Sequence, residues 1–304
     1  MIKKQVLLIT GCGGMLGEAV YAQFKDKYRV WATDIDLNEP WLEYLDVSDI
    51  RAVFDFGQKI KPDFIIHLAA LTDMEYCETH LEETYRTNTG GTENMISLAK
   101  KLNIPLVYIS TAGIFRGDKD EYDENDQPEP LSIYGKSKYQ GELAANSWSK
   151  SIIIRAGWMI GGGPRKDKKF VNKIIKQLKG GAVQFAVVDD KLGTPTYTYD
   201  LAKVIEYLLE HRHYGLYHGV CDGGGGSRHD IAVLILECLG LTDRIKIQVV
   251  NSDYFRETYF APRPMSERLS NQKLKIVNSN LTRDWRECLK EYLEKFDWMS
   301  VNES

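Results

Sequence analysis

The chain has 304 residues, 43% hydrophobic and 27% charged, the composition of a soluble globular protein with room for one large α/β domain or two small ones. A net charge of −4 gives no electrostatic case for nucleic acid or an anionic membrane, and no apolar run reaches the ~18 residues of a spanning helix, so neither partner is expected. Five widely spaced cysteines (Cys12, Cys77, Cys221, Cys238, Cys288) without a CxxC, and a strand that starts at once with no leader before it, predict a reduced cytoplasmic protein without structural zinc.

The first element opens at Lys3. Val6-Leu7-Leu8-Ile9-Thr10 reads as a buried strand, Gly11, Gly14 and Gly17 follow at three-residue steps, and Glu18 to Phe24 reads as a helix. Strand, glycine turn and helix start form a site for a dinucleotide pyrophosphate. Gly11 allows the tight turn, Gly14 lets phosphate approach the backbone, and Gly17 lets the helix pack on the strand. A second strand, Tyr28 to Thr33, ends at Asp34. That carboxylate lies roughly 20 residues past the turn, where it accepts hydrogen bonds from the adenosine ribose and repels a 2′-phosphate. NADH is therefore favoured over NADPH.

Asp46 follows and is within reach of the adenine amino group, and Ser48 or Asp49 caps a helix over 49–60. Phe64 to Leu68 is a buried strand that ends in Ala69-Ala70, small residues against which a cofactor can lie. His67, inside that apolar strand, reads as a core histidine rather than a catalyst. A long helix over 80–102 carries Asn88 and an apolar stripe of Met95, Leu98, Ala99 and Leu102. The next strand, Leu106 to Ile109, ends at Ser110-Thr111, and a charged loop spans 116–130.

Tyr134 and Lys138 open a helix that runs to about 148 and share one of its faces. A tyrosine hydroxyl can protonate a carbonyl oxygen while hydride adds to the carbon, and a neighbouring ammonium lowers the phenol pKa for that task. Thr111 can orient the same oxygen. Strands and helices alternate through Ser151 to Arg155, which predicts a Rossmann-type, doubly wound parallel sheet. Beyond 160 the pattern changes. Gly161 to Pro164 reads as a loop, Lys166 to Lys179 as a basic amphipathic helix, and Val183 to Val188 as a strand. Leu192 to Thr196 reads as a turn, 199–211 as a helix and Tyr214 to Val220 as a strand. Gly223 to Gly226 lacks the Gly-Lys-Ser/Thr ending of a phosphate loop and reads as a flexible link. Helices over 228–239 and about 282–298, with a strand near 245–250, complete the chain. The expected division is a dinucleotide-binding domain over 1–160, with returning segments about 186–219, and a smaller, mainly substrate-binding lobe over 161–304.

Thr10 to Gly17 and Tyr134 to Lys138 match TGxxGxxG and YxxxK, and at these residues the chain resembles the extended short-chain dehydrogenase/reductase family. Three further stretches resemble its dTDP-4-dehydrorhamnose reductase branch: Ala69 to Glu78, Val188 to Thr196, and Arg263-Pro264 with Ser266 and Leu269. The resemblance implies Thr111, Tyr134 and Lys138 as catalytic residues. It implies a cofactor site of Gly11, Gly14, Met15, Leu16, Gly17, Asp34, Asp46, Val47, Ala69, Ala70, Leu71, Tyr134 and Lys138. It places Thr111, Tyr134 and Trp158 beside the sugar, and Arg263 is the candidate for the substrate diphosphate. Ala112 stands where the branch carries an aspartate near the sugar, and Lys169 where it carries an asparagine. Some members bind magnesium through a first-helix carboxylate; Ala19 aligns there, so no metal is expected.

The implied activity is NAD(P)H-dependent reduction of the C4 keto group of a nucleotide-activated 4-keto-6-deoxy sugar, in deoxysugar and polysaccharide biosynthesis. Two alternatives stay open: an NAD-retaining nucleotide-sugar 4-epimerase, and a non-catalytic regulatory subunit of the methionine adenosyltransferase type. A 4,6-dehydratase is disfavoured, since Ala112-Gly113 cannot move protons. A homodimer is compatible with the sequence, which does not fix the oligomeric state.

Overall fold

The computed structural model describes residues 4–278 and 280–298; Lys3 and the ends of the two expected halves (1–3 and 299–304) lie outside them. The apolar runs form the strands β1 (Val6–Thr10), β2 (Arg29–Asp34), β3 (Leu42–Tyr44), β4 (Phe64–His67), β5 (Leu106–Thr111) and β6 (Ser151–Ala156). With a seventh strand, Gly215–His218, they make one parallel sheet in the order seventh, β6, β5, β4, β1, β2, β3. β1 and β6 are buried along their whole length, as strands covered on both faces must be. Chain order reverses between β1 and β4, so a crevice opens at the carboxyl ends of these strands, where such sheets take their ligands.

Helices α1 (Met15–Phe24), α2 (Ile50–Ile60), α3 (Met74–Thr79), α4 (Leu81–Tyr85), α5 (Gly91–Leu102) and α6 (Ile133–Asn146) cover the sheet. Asp49, not Ser48, caps α2, accepting from the Arg51 and Ala52 N–H groups. The long helix expected over 80–102 is present, but a π-helical turn, Arg86–Gly90, joins α4 to α5. The extra residue in that turn re-aims one side chain. Asn88 is fully buried there. It donates to Leu71 O and Ser137 Oγ, both at 3.0 Å, and accepts from Leu71 N at 2.7 Å, which pins the loop after β4 to α6.

After β6 the chain builds small sheets. β7 (Trp158–Ile160) pairs with β10 (Pro195–Tyr197), and β8 (Gln184–Val188) with β13 (Lys246–Val250). β9 (Leu192–Gly193) lies between β12 (Gly226–Ser227) and β14 (Ser266–Glu267). The turn expected at 192–196 is thus two short strands. The single helix expected over 166–179 is α7 (Gly163–Lys166) and α8 (Phe170–Lys179), parted where Asp167 Oδ1 accepts from Lys169 N at 2.7 Å. Part of the glycine run is fixed rather than flexible: Gly226 is in β12, and Ser227 and Asp230 form a reciprocal cap on α10 (Arg228–Cys238). α9 (Thr198–Glu210) packs back on α1, and β11 (Gly215–His218) is the seventh strand of the main sheet. α11 (Gln272–Val277) follows, and α12 (Trp285–Lys295) closes a second apolar core around Ile174, Val187, Tyr197, Trp285 and Tyr292. Among the described residues no helix is long and apolar enough to cross a membrane.

Candidate active site

One cleft of about 1360 Å³ runs between the carboxyl edge of the main sheet and the later sheets and helices. That is larger than the roughly 300–1,000 Å³ of a single-ligand pocket. Gly11, Gly14, Met15, Leu16, Gly17, Asp34, Asp46, Val47, Ala69, Ala70 and Leu71 all line it, as do Thr111, Tyr134, Lys138, Trp158, Lys169 and Arg263. Ala112 does not. It is 1% exposed and packs with Ile114, Phe115, Tyr122, Val220 and Leu269, so its expected place beside the sugar is corrected. The tight 3₁₀ turn of Ala112–Ile114 turns it into this apolar cluster. Ala19 is likewise a core residue, 2% exposed.

The glycine turn is built for close approach. Gly11 has φ +68, and a Cβ there would lie 2.3 Å from Ala69 N; one on Gly17 would lie 2.2 Å from Cys12 O. No side chain fits either place. Gly14 caps α1 without a side-chain hydrogen bond, so the first N–H groups of this ten-residue helix are left for an anion. Gly13 N donates to Asp34 Oδ2 at 2.8 Å and Asp36 N to Oδ1 at 3.1 Å, which fixes the carboxylate at the end of β2. Asn38, which carried no sequence signal, donates to Gly13 O at 3.2 Å and braces the same turn. Asp46 accepts from Ser48 N at 2.8 Å.

Opposite this cradle, Thr111 ends β5 and Tyr134 begins α6. A Cβ on Gly135 would fall 2.4 Å from Gly113 O. This close contact presses the start of α6 onto the turn after β5 and joins Tyr134 to Thr111. Ser132 caps the helix through Gly135 N. Thr111 Oγ1 accepts from Gly113 N at 3.1 Å, so its own proton is free to be donated to the tyrosine. Burial pushes the Tyr134 hydroxyl up to about 12, while its hydrogen bond with Thr111 pulls it down and Cys77 and Glu267 raise it further. Thr111 is the group that lowers the phenol here, and Lys138 is not among the groups that shift it. Lys138 is itself 5% exposed, with its ammonium 4.3 Å from the Tyr108 ring centroid. Burial brings it down to about 7, against the pull of Glu142 one turn later. His67 is a core residue, as expected, bonded to Thr10 and Thr92, and burial lowers it to about 3.

The far wall is basic and aromatic. Lys169 Nζ donates to Thr72 O at 3.3 Å. Arg263 donates to Ala261 O at 2.9 Å and to Glu75 Oε2 at 3.0 Å, so part of its fork is committed within the protein. Trp158 is 9% exposed, and its Nε1 donates to Glu267 Oε2 at 2.7 Å. Arg228 lies 3.7 Å over the Trp158 ring centroid and 5.0 Å from that of Phe170. Sequence reasoning did not find Glu267 or Arg228. Glu267 lies within the 263–269 stretch that carries part of the resemblance, but only the small sheets bring it to the cleft.

The chain is 34% identical to the spore coat polysaccharide biosynthesis protein SpsK of Bacillus subtilis, over 95% of its own length and 97% of that protein's. It is similar to a solved dTDP-4-dehydrorhamnose reductase from Yersinia enterocolitica, with 37% identity, a TM-score of 0.85, and coverage of 96% of this chain and 100% of that one. The corresponding enzyme of Bacillus anthracis, solved in complex with NADP, gives 29% identity and a TM-score of 0.87, again over 96% and 100%. The RmlD substrate binding domain family model matches residues 5–298 and so spans the cleft from the glycine turn to the last helix; the chain belongs to that family.

Proposed function

We propose that this chain reduces the C4 carbonyl of a nucleotide-linked 4-keto-6-deoxyhexose with NAD(P)H, a dTDP sugar being the first choice because relatives carry that name. The observation that carries the reading is that Thr111, Tyr134 and Lys138 share one cleft with the glycine turn and the free start of α1. The residues present fit the dinucleotide. Gly14 is exposed, with nothing nearer to its Cβ position than Gly11 O at 3.6 Å, so an anion can reach the backbone. Asp34 waits at the end of β2 for the ribose.

When bound, the reduced nicotinamide supplies the hydride for the carbonyl carbon. Tyr134 holds the carbonyl oxygen and gives it a proton, with Thr111 orienting the phenol through the hydrogen bond between the two hydroxyls. A phenol at about 12 stays protonated at neutral pH and passes its proton to the far more basic alkoxide. The Thr111 hydroxyl then stabilises the phenolate. Lys138, at about 7, exchanges protons in the neutral range and holds the nicotinamide ribose. The basic wall of Lys169, Arg228 and Arg263 faces the substrate diphosphate. All five cysteines are free thiols, in keeping with a cytoplasmic location.

The test is to follow oxidation of NADH and NADPH with dTDP-, UDP-, CDP- and GDP-linked 4-keto-6-deoxyhexoses. Stoichiometric cofactor oxidation is expected with one of them. Cofactor retained through desalting, with no net oxidation on any sugar, would replace this reading with the epimerase. The same assay checks the cofactor. Asp34→Ser replaces the charged ribose acceptor with a shorter, neutral one and removes the charge facing a 2′-phosphate. It should shift the kcat/KM ratio toward NADPH by about 10–100-fold, the worth of a hydrogen bond to a charged group. An unchanged ratio would refute the NADH preference.

A further inference from the structure

Trp158 is held more completely than a sugar platform needs to be. A Cβ on Gly193 of β9 would fall 2.3 Å from the indole Cε2, so the β9 backbone lies against the ring. The Arg228 guanidinium stands 3.7 Å from the ring centroid, and Nε1 is bonded to Glu267 Oε2 at 2.7 Å. Only 9% of the residue is exposed. Little aromatic surface is left for a sugar, and beside this ring the cleft is lined by the Glu267 carboxylate and the Arg228 fork.

Glu267 also borders the catalytic pair. The point where a Cβ on Gly113 would sit is 3.5 Å from Glu267 Oε1, 3.5 Å from Thr111 Oγ1 and 3.8 Å from Tyr134 Cε1. The tryptophan occupies Oε2, which leaves Oε1 next to Thr111 and to Tyr134, which holds the carbonyl oxygen. Its position is rigidly set, because Glu267 pairs in register with Gly193, the residue that backs the ring. Ala112, buried and without a polar side-chain atom, offers no acceptor here.

We propose that Glu267 is a specificity-determining residue that accepts a hydrogen bond from the C3 hydroxyl of the sugar; this rests on the reductase reading above. In a 4-keto-6-deoxyhexose the carbonyl carbon has two ring neighbours. C3 bears a hydroxyl and C5 bears a methyl group. A carboxylate oxygen set against the methyl loses its hydration with nothing in return, whereas against the C3 hydroxyl it is satisfied. Holding the C3 edge fixes which way round the ring lies, and hence which face of the carbonyl the hydride meets.

The test compares kcat/KM for the 4-keto-6-deoxyhexose nucleotide and its 3-deoxy counterpart in wild type, Glu267→Ala and Glu267→Gln. Wild type should prefer the hydroxyl-bearing sugar by about 100-fold or more, as sites built to bond a hydroxyl do. In Glu267→Ala the preference should shrink to within about 3-fold, through loss on the parent sugar alone. Glu267→Gln has a single acceptor oxygen; with that held by Trp158 Nε1–H, the amide NH2 faces the sugar and donates a weaker, neutral hydrogen bond to the hydroxyl oxygen, so its preference should be intermediate, about 10-fold. A wild-type ratio in either variant, or equal losses on both sugars, would overturn the proposal. If Glu267→Ala fails to fold, the glutamine ratio decides by the same rule. Wild type that reduces neither sugar would bring down the reductase reading and this inference with it. Turnover of the parent with an unaltered ratio in the variants would overturn the inference alone.

Discussion

Tyr134→Phe should lower kcat by about 10²–10⁴-fold, the range of a lost general acid, while cofactor affinity stays within about 3-fold. The variant removes one oxygen. That oxygen is the proposed proton source for the reduced carbonyl and the partner of Thr111; the ring, the Ser132 cap and the contact of Gly135 with Gly113 are kept. A drop of 10³ corresponds to about 4 kcal/mol of transition-state stabilisation. Steady-state rates and cofactor titration by intrinsic fluorescence measure the two halves of the claim. A variant that keeps a third or more of the wild-type rate would show that another donor delivers the proton. The pH profile carries a second signature. The phenol, at about 12, does not titrate between pH 6 and 9. With burial holding Lys138 at about 7, activity is expected to fall as pH rises past that point and the ammonium gives up its proton.

The parts of this site that lie close together in the chain were legible from sequence. Gly11, Gly14 and Gly17 announce a turn because their spacing and flanking periodicities are local. Asp34 is found by counting from that turn, and Tyr134 and Lys138 by helical spacing. His67 was legible as core because it interrupts an otherwise apolar strand. What depends on distant segments meeting was not. Arg263 looked like a free anion fork, but its carboxylate partner, Glu75, comes from α3. The wall formed by Trp158, Arg228 and Glu267 draws on β7, the start of α10 and β14, whose meeting no periodicity encodes. Ala112 was placed beside the sugar because it stands where the branch carries an aspartate, yet the turn that follows β5 rotates it inward. The ionisation of Tyr134 and Lys138 is governed by burial, a tertiary property, and so departs from what their sequence spacing alone predicts.

Behind the catalytic face lies a buried ion pair whose removal should be felt in both stability and activity. Arg155 of β6 and Glu142 of α6 have side chains 3% and 6% exposed and meet at 2.6 Å. Arg155 Nε also donates to both carboxylate oxygens, and Ser110 Oγ donates to Oε2 at 2.5 Å. Glu142→Gln retains the shape but leaves the guanidinium buried and uncompensated. Breaking such a pair costs about 3–5 kcal/mol, a fall in Tm on the order of 10 °C, measurable by thermal or urea unfolding. Glu142 is also the group that favours the charged form of Lys138. Without it the ammonium loses its proton at lower pH, so the alkaline limb of kcat/KM should move below its wild-type position. The double variant Glu142→Leu, Arg155→Met separates the two effects. It removes both charges together, so stability should recover toward wild type, while the shifted limb should persist because Lys138 still lacks its anionic neighbour. A limb that returned with stability would mean that Glu142 acts on Lys138 only by holding α6 in place.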